Sequence, residues 1–117
     1  MEAIEDALRA LVETSGATGA MVVGRDGLIL SQTGGIGEDV DAIGAIASST
    51  LKMPETLAEQ LGAGKVVQVA IQLEQGLATV DPLSDECLLV VVTGADANLG
   101  LIRYAVKRHK EELVVLL

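Results

Sequence analysis

The feature that most limits what this chain can fold into is the segment Leu-Leu-Val-Val-Val-Thr at residues 88–93, an apolar run that ends in one threonine. Because neighbouring side chains of a strand point to opposite faces of a sheet, such a run is buried on both faces. We therefore expect a central strand that is covered on two sides by other elements. The run is also far shorter than the roughly 18 apolar residues that a membrane-spanning helix needs, so we predict no membrane span.

Helical and strand patterns alternate around this run. The predicted elements are, in chain order, a helix at residues 1–14, strands at 20–23 and 28–30, a helix at 38–61, strands at 65–73, 77–80 and 88–93, and a helix at about 97–115. Pro54 should bend or interrupt the second helix, and Asp96 or Asn98 should cap the last one. The order αββαβββα predicts one α+β domain over residues 1–117, with a mainly antiparallel five-stranded sheet between helical layers.

The predicted helix at 38–61 is unusual because its polar side is very narrow. When the helix is projected at about 100° per residue, the polar strip contains Asp41, Ser48, Lys52, Glu55 and Glu59. The remaining residues are mostly apolar or small and cover roughly 200°, about twice the stripe that a helix needs to lie on one sheet. We expect two buried faces, one against its own sheet and one against a second copy of the chain. The alternative is a helix buried entirely within its own chain.

The predicted strand at 65–73 also favours a second copy. It lies between the two-faced helix and a hairpin, which suits an edge of the sheet, and an apolar edge left open invites aggregation. Pairing two such edges across a two-fold axis removes this liability. The predicted homodimer interface contains Ile43, Ile46, Ala47, Thr50 and Leu51 on the helix and Val67, Val69 and Ile71 on the strand.

Composition argues against several classes of function. With 8 basic and 17 acidic residues the net charge is −9, and one Tyr with no Phe or Trp provides no stacking platform, so no nucleic acid partner is expected. The single histidine, His109, and the single cysteine, Cys87, offer neither metal-ligand spacing nor a nucleophile with a base. The glycines at 34, 35 and 37 precede a helix but lack the lysine of a phosphate loop. We therefore predict no catalytic residue, cofactor or metal, and no enzymatic activity.

Charged and polar residues mark a possible partner surface. Arg103, Lys107 and Lys110 share one face of the last predicted helix and could contact an acidic partner, although such a face is usually just solvated. Ser48, Lys52 and Glu55 on the polar strip are further candidates. The acidic first residues are unlike a secretory signal, and one cysteine cannot form an intrachain disulfide, so we expect a cytoplasmic protein.

Two segments, together with the predicted element order, resemble the roadblock/dynein light chain family, of the type that regulates small GTPases in bacteria. One is the hairpin segment Gly-Ala-Met-Val-Val-Gly-Arg-Asp-Gly-Leu-Ile-Leu at 19–30, and the other is Ala-Asn-Leu-Gly-Leu at 97–101, where the last helix begins. The resemblance implies a profilin-like sheet in the order 2-1-5-4-3, with the first and last helices on one face and the second helix on the other. It also implies homo- or heterodimers formed through the second helix and the third strand.

The function implied by the resemblance is a non-enzymatic platform that binds and regulates or scaffolds a small Ras-like GTPase. The family has no shared catalytic residue, which agrees with the lack of a catalytic or metal-binding pattern in this sequence. Two alternatives stay open: a profilin-like module that senses a small ligand, and a structural dimerisation subunit of a larger complex. The chain offers few convergent polar groups that could orient a small ligand.

Overall fold

The computed structural model describes residues 2–117, so Met1, the first residue of the first predicted helix, lies outside the described residues. The elements in this range are α1 (Glu2–Ser15), β1 (Gly19–Gly24), β2 (Ile29–Gly34), α2 (Val40–Thr50), α3 (Lys52–Leu61), β3 (Val69–Leu73), β4 (Gly76–Pro82), β5 (Cys87–Thr93) and α4 (Leu99–Leu116).

The sheet has the order β2-β1-β5-β4-β3, and every neighbouring pair is antiparallel. This confirms the predicted fold. β5 lies in the middle of the sheet and carries the apolar run at 88–93. Leu89 and Val91 pack into one helical layer, whereas Leu88 and Val90 pack into the other. The central strand is therefore buried on both faces, as its composition predicted.

The larger core lies on the face of the sheet that carries α1 and α4, here called the closed face. Ile4, Leu8 and Leu11 of α1 meet Ile102 and Leu113 of α4 over the sheet, and all five side chains are almost fully buried. Burying one such aliphatic side chain stabilises a fold by about 1.5–3 kcal/mol. The two helices thus complete this core with residues of the chain itself.

A smaller core lies on the opposite face, here called the open face, which carries α2 and α3. Ala47 and Leu51 at the end of α2 pack over Met21 and Val23 of β1 and over neighbouring residues of β5. In contrast, α3 contributes no buried residue. Only one of the two helices on this face therefore takes part in the core.

The predicted helix at 38–61 consists of two helices that meet at Leu51. Pro54 explains the interruption, because proline has no N–H for the carbonyl four residues earlier and its ring clashes there. That carbonyl belongs to Thr50, where α2 ends. The backbone N–H of Glu55 then donates to the carbonyl of Leu51 at 2.9 Å, and the helical pattern resumes. The expected interruption is confirmed, about one turn before the proline.

The third strand is shorter than predicted, because β3 begins at Val69 and not at residue 65. Val69 pairs with Val80, so the same antiparallel register would place Val67 opposite Pro82. Proline has no N–H to donate to a ladder, and the pairing ends before it. The placement of Val67 within the strand was therefore wrong.

The last helix begins at Leu99 and is capped by Asn98. The side-chain oxygen of Asn98 accepts a hydrogen bond from the backbone N–H of Leu101 at 3.1 Å. This decides between the two capping residues that the sequence allowed, since Asp96 lies outside the cap position.

Candidate interaction surface

Large apolar side chains remain exposed on the elements of the open face. Ile46 of α2 is 67% exposed and Met53 of α3 is 83% exposed. The others are Leu57 and Leu61 on α3 and Ile71 and Leu73 on β3. Ile71 and Leu73 alternate with Val69, which packs against the smaller core, so they belong to the same side of the sheet. We call these six residues the apolar surface, and exposed apolar groups of this kind mark interaction sites.

One stripe of α2 is used for packing against its own sheet. Gly44, Ala47 and Leu51 lie one above the other along this stripe, and all three are buried. A Cβ on Gly44 would lie 3.1 Å from Cγ1 of Ile29 and 3.2 Å from the carbonyl oxygen of Gly27, so a larger residue would require these neighbours to shift slightly. Ile46 points away from this contact and stays exposed.

The structure divides the eight predicted interface residues into three groups. Ala47 and Leu51 are buried within their own chain, where they pack in the smaller core. Ile43, Thr50 and Val69 are half-buried. Ile46, Val67 and Ile71 are exposed. The alternative of a helix buried wholly within the chain is also wrong, because α3 has no buried residue.

The third strand lies at an edge of the sheet, as predicted. Within residues 2–117 its only strand partner is β4, so half of its backbone hydrogen-bonding groups face outwards. Such an edge is a template for pairing with another strand unless something blocks it. Ala70 to Leu73 are exposed and include no charged residue that would block this pairing.

The polar residues of the predicted partner surface have different surroundings. Glu55 is engaged by Arg25, whose Nη1 donates to the two carboxylate oxygens at 3.1 and 3.2 Å. The Oγ of Ser48 donates to the carbonyl of Ala45 at 2.8 Å, and Lys52 is exposed. Glu55 also lines a depression together with Lys110 of α4. The structure thus brings one residue from the polar strip close to the basic face of α4.

Arg103, Lys107 and Lys110 of α4 line a second depression, whose inner wall contains Asp81. Sequence analysis missed this aspartate because Asp81-Pro82 reads as the start of a loop. It lies on β4 instead, on the same face as Leu77 and Thr79, and is only 4% exposed. The alternation with Leu77 and Thr79 was the signal that could have located it.

Asp81 is held by a hydrogen-bonded chain that reaches α4. Nε2 of Gln68 donates to both carboxylate oxygens of Asp81, at 3.2 and 3.1 Å, and Oε1 of Gln68 accepts from Nε of Arg103 at 2.9 Å. Burial raises the pKa of Asp81 to about 6, although the Gln68 hydrogen bond and the charges of Lys110 and Arg103 act in the opposite direction. The segment before β3 is therefore tied to both β4 and α4.

The comparison with sequence families decides what kind of protein carries this surface. Residues 3–93 match the family described as the Roadblock/LC7 domain. The chain belongs to this family. The predicted family is thereby confirmed, and the match includes the hairpin segment at 19–30.

Other proteins are similar to this chain over most of its length. An uncharacterized protein of Methanocaldococcus jannaschii, MJ1340, is 38% identical over 110 residues, which is 94% of this chain and 96% of that protein. A structure of MglB with a tetrameric arrangement is 24% identical with a TM-score of 0.90, covering 97% of this chain and 87% of that one. The gliding protein MglB of Thermus thermophilus is also 24% identical, with a TM-score of 0.89 over 97% and 87% of the two chains. The solved structures show the same fold.

The single histidine and the single cysteine of this Roadblock/LC7 chain both pack against other parts of the fold. Nε2 of His109 lies 3.3 Å from Oγ1 of Thr14, at the seam between α1 and α4. Cys87 is buried in the core of the closed face. Among residues 2–117, no three His, Cys, Asp or Glu side chains are grouped to hold a metal ion. No helix in this part of the chain is both long and apolar enough to cross a membrane.

Proposed function

We propose that this Roadblock/LC7 protein is a dimeric, non-enzymatic platform that binds a small Ras-like GTPase in the cytoplasm and regulates or scaffolds it. The observation that carries the proposal is the apolar surface. Six large apolar side chains from α2, α3 and β3 stay in water, and α3, which carries three of them, contributes no buried residue to its own chain. A second copy is the partner that this surface suits best.

Two-fold symmetry makes the apolar surface self-complementary, because each residue of the surface is supplied twice. Burying one large aliphatic side chain contributes about 1.5–3 kcal/mol, whereas association costs about 4–15 kcal/mol in lost motion. Twelve such side chains in a pair of copies, six from each, are enough to offset that cost. Small residues next to Ile46, including Ala45 and Ser49, let two helices approach closely.

The edge strand β3 supports the same pairing. Its outward N–H and C=O groups can form a ladder with β3 of a second copy, so that two sheets become one. Ile71 lies at the centre of β3 and is exposed on the side of the apolar surface. Val69 and Thr50 are half-buried and belong to the rim of the proposed interface, while Val67 precedes the strand and is outside its ladder.

Nucleotide chemistry has to come from the partner in this proposal. The glycine-rich segment before α2 has no lysine for a phosphate, and the helix start is capped by Asp39, whose carboxylate accepts the N–H of Ala42 at 3.1 Å. Asp41 adds a second negative charge in the first turn, which repels a phosphate. Ser48 on α2 and Lys52 on α3 are the polar residues of the open face that we propose for contact with the GTPase.

The experiment compares Ile46→Glu with Leu28→Glu. Both residues are 67% exposed, but Leu28 belongs to the turn between β1 and β2 and not to the apolar surface. In equilibrium sedimentation we expect the wild type and Leu28→Glu at twice the 12.1 kDa chain mass, and Ile46→Glu at the single chain mass. A charge in a dry interface costs several kcal/mol. Circular dichroism should show the same helix content for all three proteins.

The second step tests the partner. A Ras-like GTPase from the same organism, loaded with GDP or with a non-hydrolysable GTP analogue, is passed over immobilised wild type and both variants. We expect capture by the wild type and Leu28→Glu and loss with Ile46→Glu. A folded, monomeric Ile46→Glu protein that captures the GTPase as well as the wild type would show that the paired helices are not the platform.

A further inference from the structure

The basic residues of this acidic chain are concentrated in one place. The chain has 8 Lys and Arg against 17 Asp and Glu. Five of the eight line two depressions that adjoin at Val67 and Lys110: Arg25, Lys65, Arg103, Lys107 and Lys110. The combined groove runs from the end of α3, past the segment before β3, to α4. We call it the basic groove.

Most of these charges have no acidic partner of their own. Among residues 2–117, Arg25 forms a salt bridge with Glu55, but Lys65, Arg103, Lys107 and Lys110 form none. Gln68 holds Nε of Arg103 and leaves the two terminal nitrogens of the guanidinium without a partner in the same range. Two exposed carboxylates, Glu59 and Asp85, lie in the α3 half of the groove, so the α4 half carries the excess of positive charge.

The inner wall of the α4 half does not cancel this charge. Asp81 is almost fully buried and accepts its hydrogen bonds from Gln68, whereas Arg103 and Lys107 are exposed. A ligand at the mouth of the groove therefore meets the basic side chains before it meets the carboxylate. At i, i+4 and i+7 of α4, the three basic residues form a row along the groove.

The shape of the groove favours an extended ligand over a single ion. The two depressions have volumes of about 440 and 290 Å³, and the side chain of Val67, 73% exposed, stands where they meet. A row of cations with an apolar contact beside it matches a chain segment that carries several carboxylates and an aliphatic residue. Because the rest of the protein is strongly acidic, such a segment is repelled elsewhere on the surface and guided to this groove.

We propose that the basic groove binds an extended acidic segment of a partner protein, with carboxylates on Arg103, Lys107 and Lys110 and an aliphatic side chain on Val67. None of these four residues belongs to the apolar surface. The proposal therefore does not rest on dimer formation or on GTPase binding, and each can fail without the other.

The test uses a fluorescein-labelled peptide of repeated Glu-Glu-Val-Glu-Glu units and the full chain. We expect a rise in fluorescence anisotropy at low salt, with affinity reduced about tenfold in high salt because the contacts are exposed ion pairs. The triple variant Arg103→Gln, Lys107→Gln, Lys110→Gln should weaken binding at least about tenfold. A matched triple variant, Arg9→Gln, Lys52→Gln, Arg108→Gln, makes the same change in net charge outside the groove and should bind like the wild type.

Four further measurements test the proposal. Asp81→Asn removes a negative charge behind the groove and should tighten binding by about twofold. In ¹⁵N-labelled wild type, the peptide should shift amide resonances of residues 64–68 and 103–110, which needs no variant. Equal weakening by the two triple variants would overturn the proposal, as would equal binding of a Gln-Gln-Val-Gln-Gln peptide. Displacement by inorganic phosphate at the peptide's own concentration would assign the groove to small anions instead and overturn it as well.

Discussion

The two faces of the sheet differ in how far the chain covers them. Among residues 2–117 the core of the closed face contains fifteen buried residues, whereas that of the open face contains eight. The closed face is covered by α1 and α4, with 14 and 18 residues, while the open face is covered by α2 and α3, with 11 and 10. The shorter pair leaves large apolar side chains in water. The chain thus buries a larger core on the closed face than on the open face.

The difference has a local cause. Both helices of the closed face turn apolar residues towards the sheet near both of their ends. On the open face, Pro54 interrupts the helical layer and the part beyond it, α3, turns no side chain into the core. The same break leaves Met53, Leu57 and Leu61 exposed. An element that adds nothing to its own core but carries apolar residues is suited to a partner.

The largest expected effect is the difference in stability loss between a truncated leucine on the closed face and one on the open face. Leu8 on the closed face is fully buried and Leu57 on the open face is 58% exposed. Leu8→Ala should lower the free energy of unfolding by about 2–5 kcal/mol, because it removes buried methyl groups and leaves a cavity. Leu57→Ala should change the unfolding of the dilute protein by less than about 0.5 kcal/mol.

Urea denaturation over a range of protein concentrations measures both changes. The loss for Leu8→Ala should be the same at every concentration. The loss for Leu57→Ala should grow as the concentration rises and the dimer contributes to stability. A concentration-independent loss of several kcal/mol for Leu57→Ala would mean that the open face is closed within the chain.

The next effect concerns Asp81, the carboxylate that is buried on the closed face. Its pKa rises from 3.8 to about 6 in the folded protein, so the folded state binds the proton more tightly than the unfolded state. The stability linked to this group is therefore fully present below about pH 4 and is lost as the pH rises through about 6. Two units of pKa correspond to about 3 kcal/mol.

Asp81→Asn keeps an oxygen for Gln68 and removes the charge. Relative to the wild type, we expect this variant to be equally stable near pH 4 and about 2–3 kcal/mol more stable at pH 7 and above. Thermal unfolding of both proteins across this range checks the prediction, because other groups titrate alike in the two and cancel. Lower stability of Asp81→Asn at pH 7 would show that the attraction of the Arg103 and Lys110 charges outweighs burial.

The smallest effect compares the helix caps of the two faces. Asn98 caps α4 and Asp39 caps α2, each through a hydrogen bond of 3.1 Å to a backbone N–H in the first turn. Asn98→Ala should lower the free energy of global unfolding by about 1 kcal/mol, because α4 is part of the larger core. Asp39→Ala should mainly speed hydrogen exchange in α2, since this helix can open locally. Equal global losses for both caps would place the two faces in one cooperative unit.

Much of the fold was predictable from local patterns. The run at 88–93 predicted a central strand, and the stripe of Ile4, Leu8 and Leu11 predicted a helix with one buried side. Local patterns were less informative where the bounds of an element or the burial of a residue depend on another element of the fold. β3 begins only at Val69 because of Pro82, which belongs to another strand, and Asp81 is buried under α4.

The candidate surface was predictable in its elements but not in its residues. The roughly 200° apolar arc correctly indicated that the helix at 38–61 carries more apolar surface than one sheet covers. It did not indicate which residues turn inwards, and Ala47 and Leu51 are in fact buried in their own chain. That choice depends on where Gly44 lets α2 approach Ile29.

By itself, the sequence determined which segments form helices and strands, which strand is central and which helix carries surplus apolar residues, because these follow from spacing along one element. Only the tertiary structure decided which surplus residues stay exposed, where β3 begins, and that Gln68 links Asp81 to Arg103. These outcomes depend on contacts between residues far apart in the chain. Such contacts are set by the packing of whole elements against one another, which no local pattern encodes.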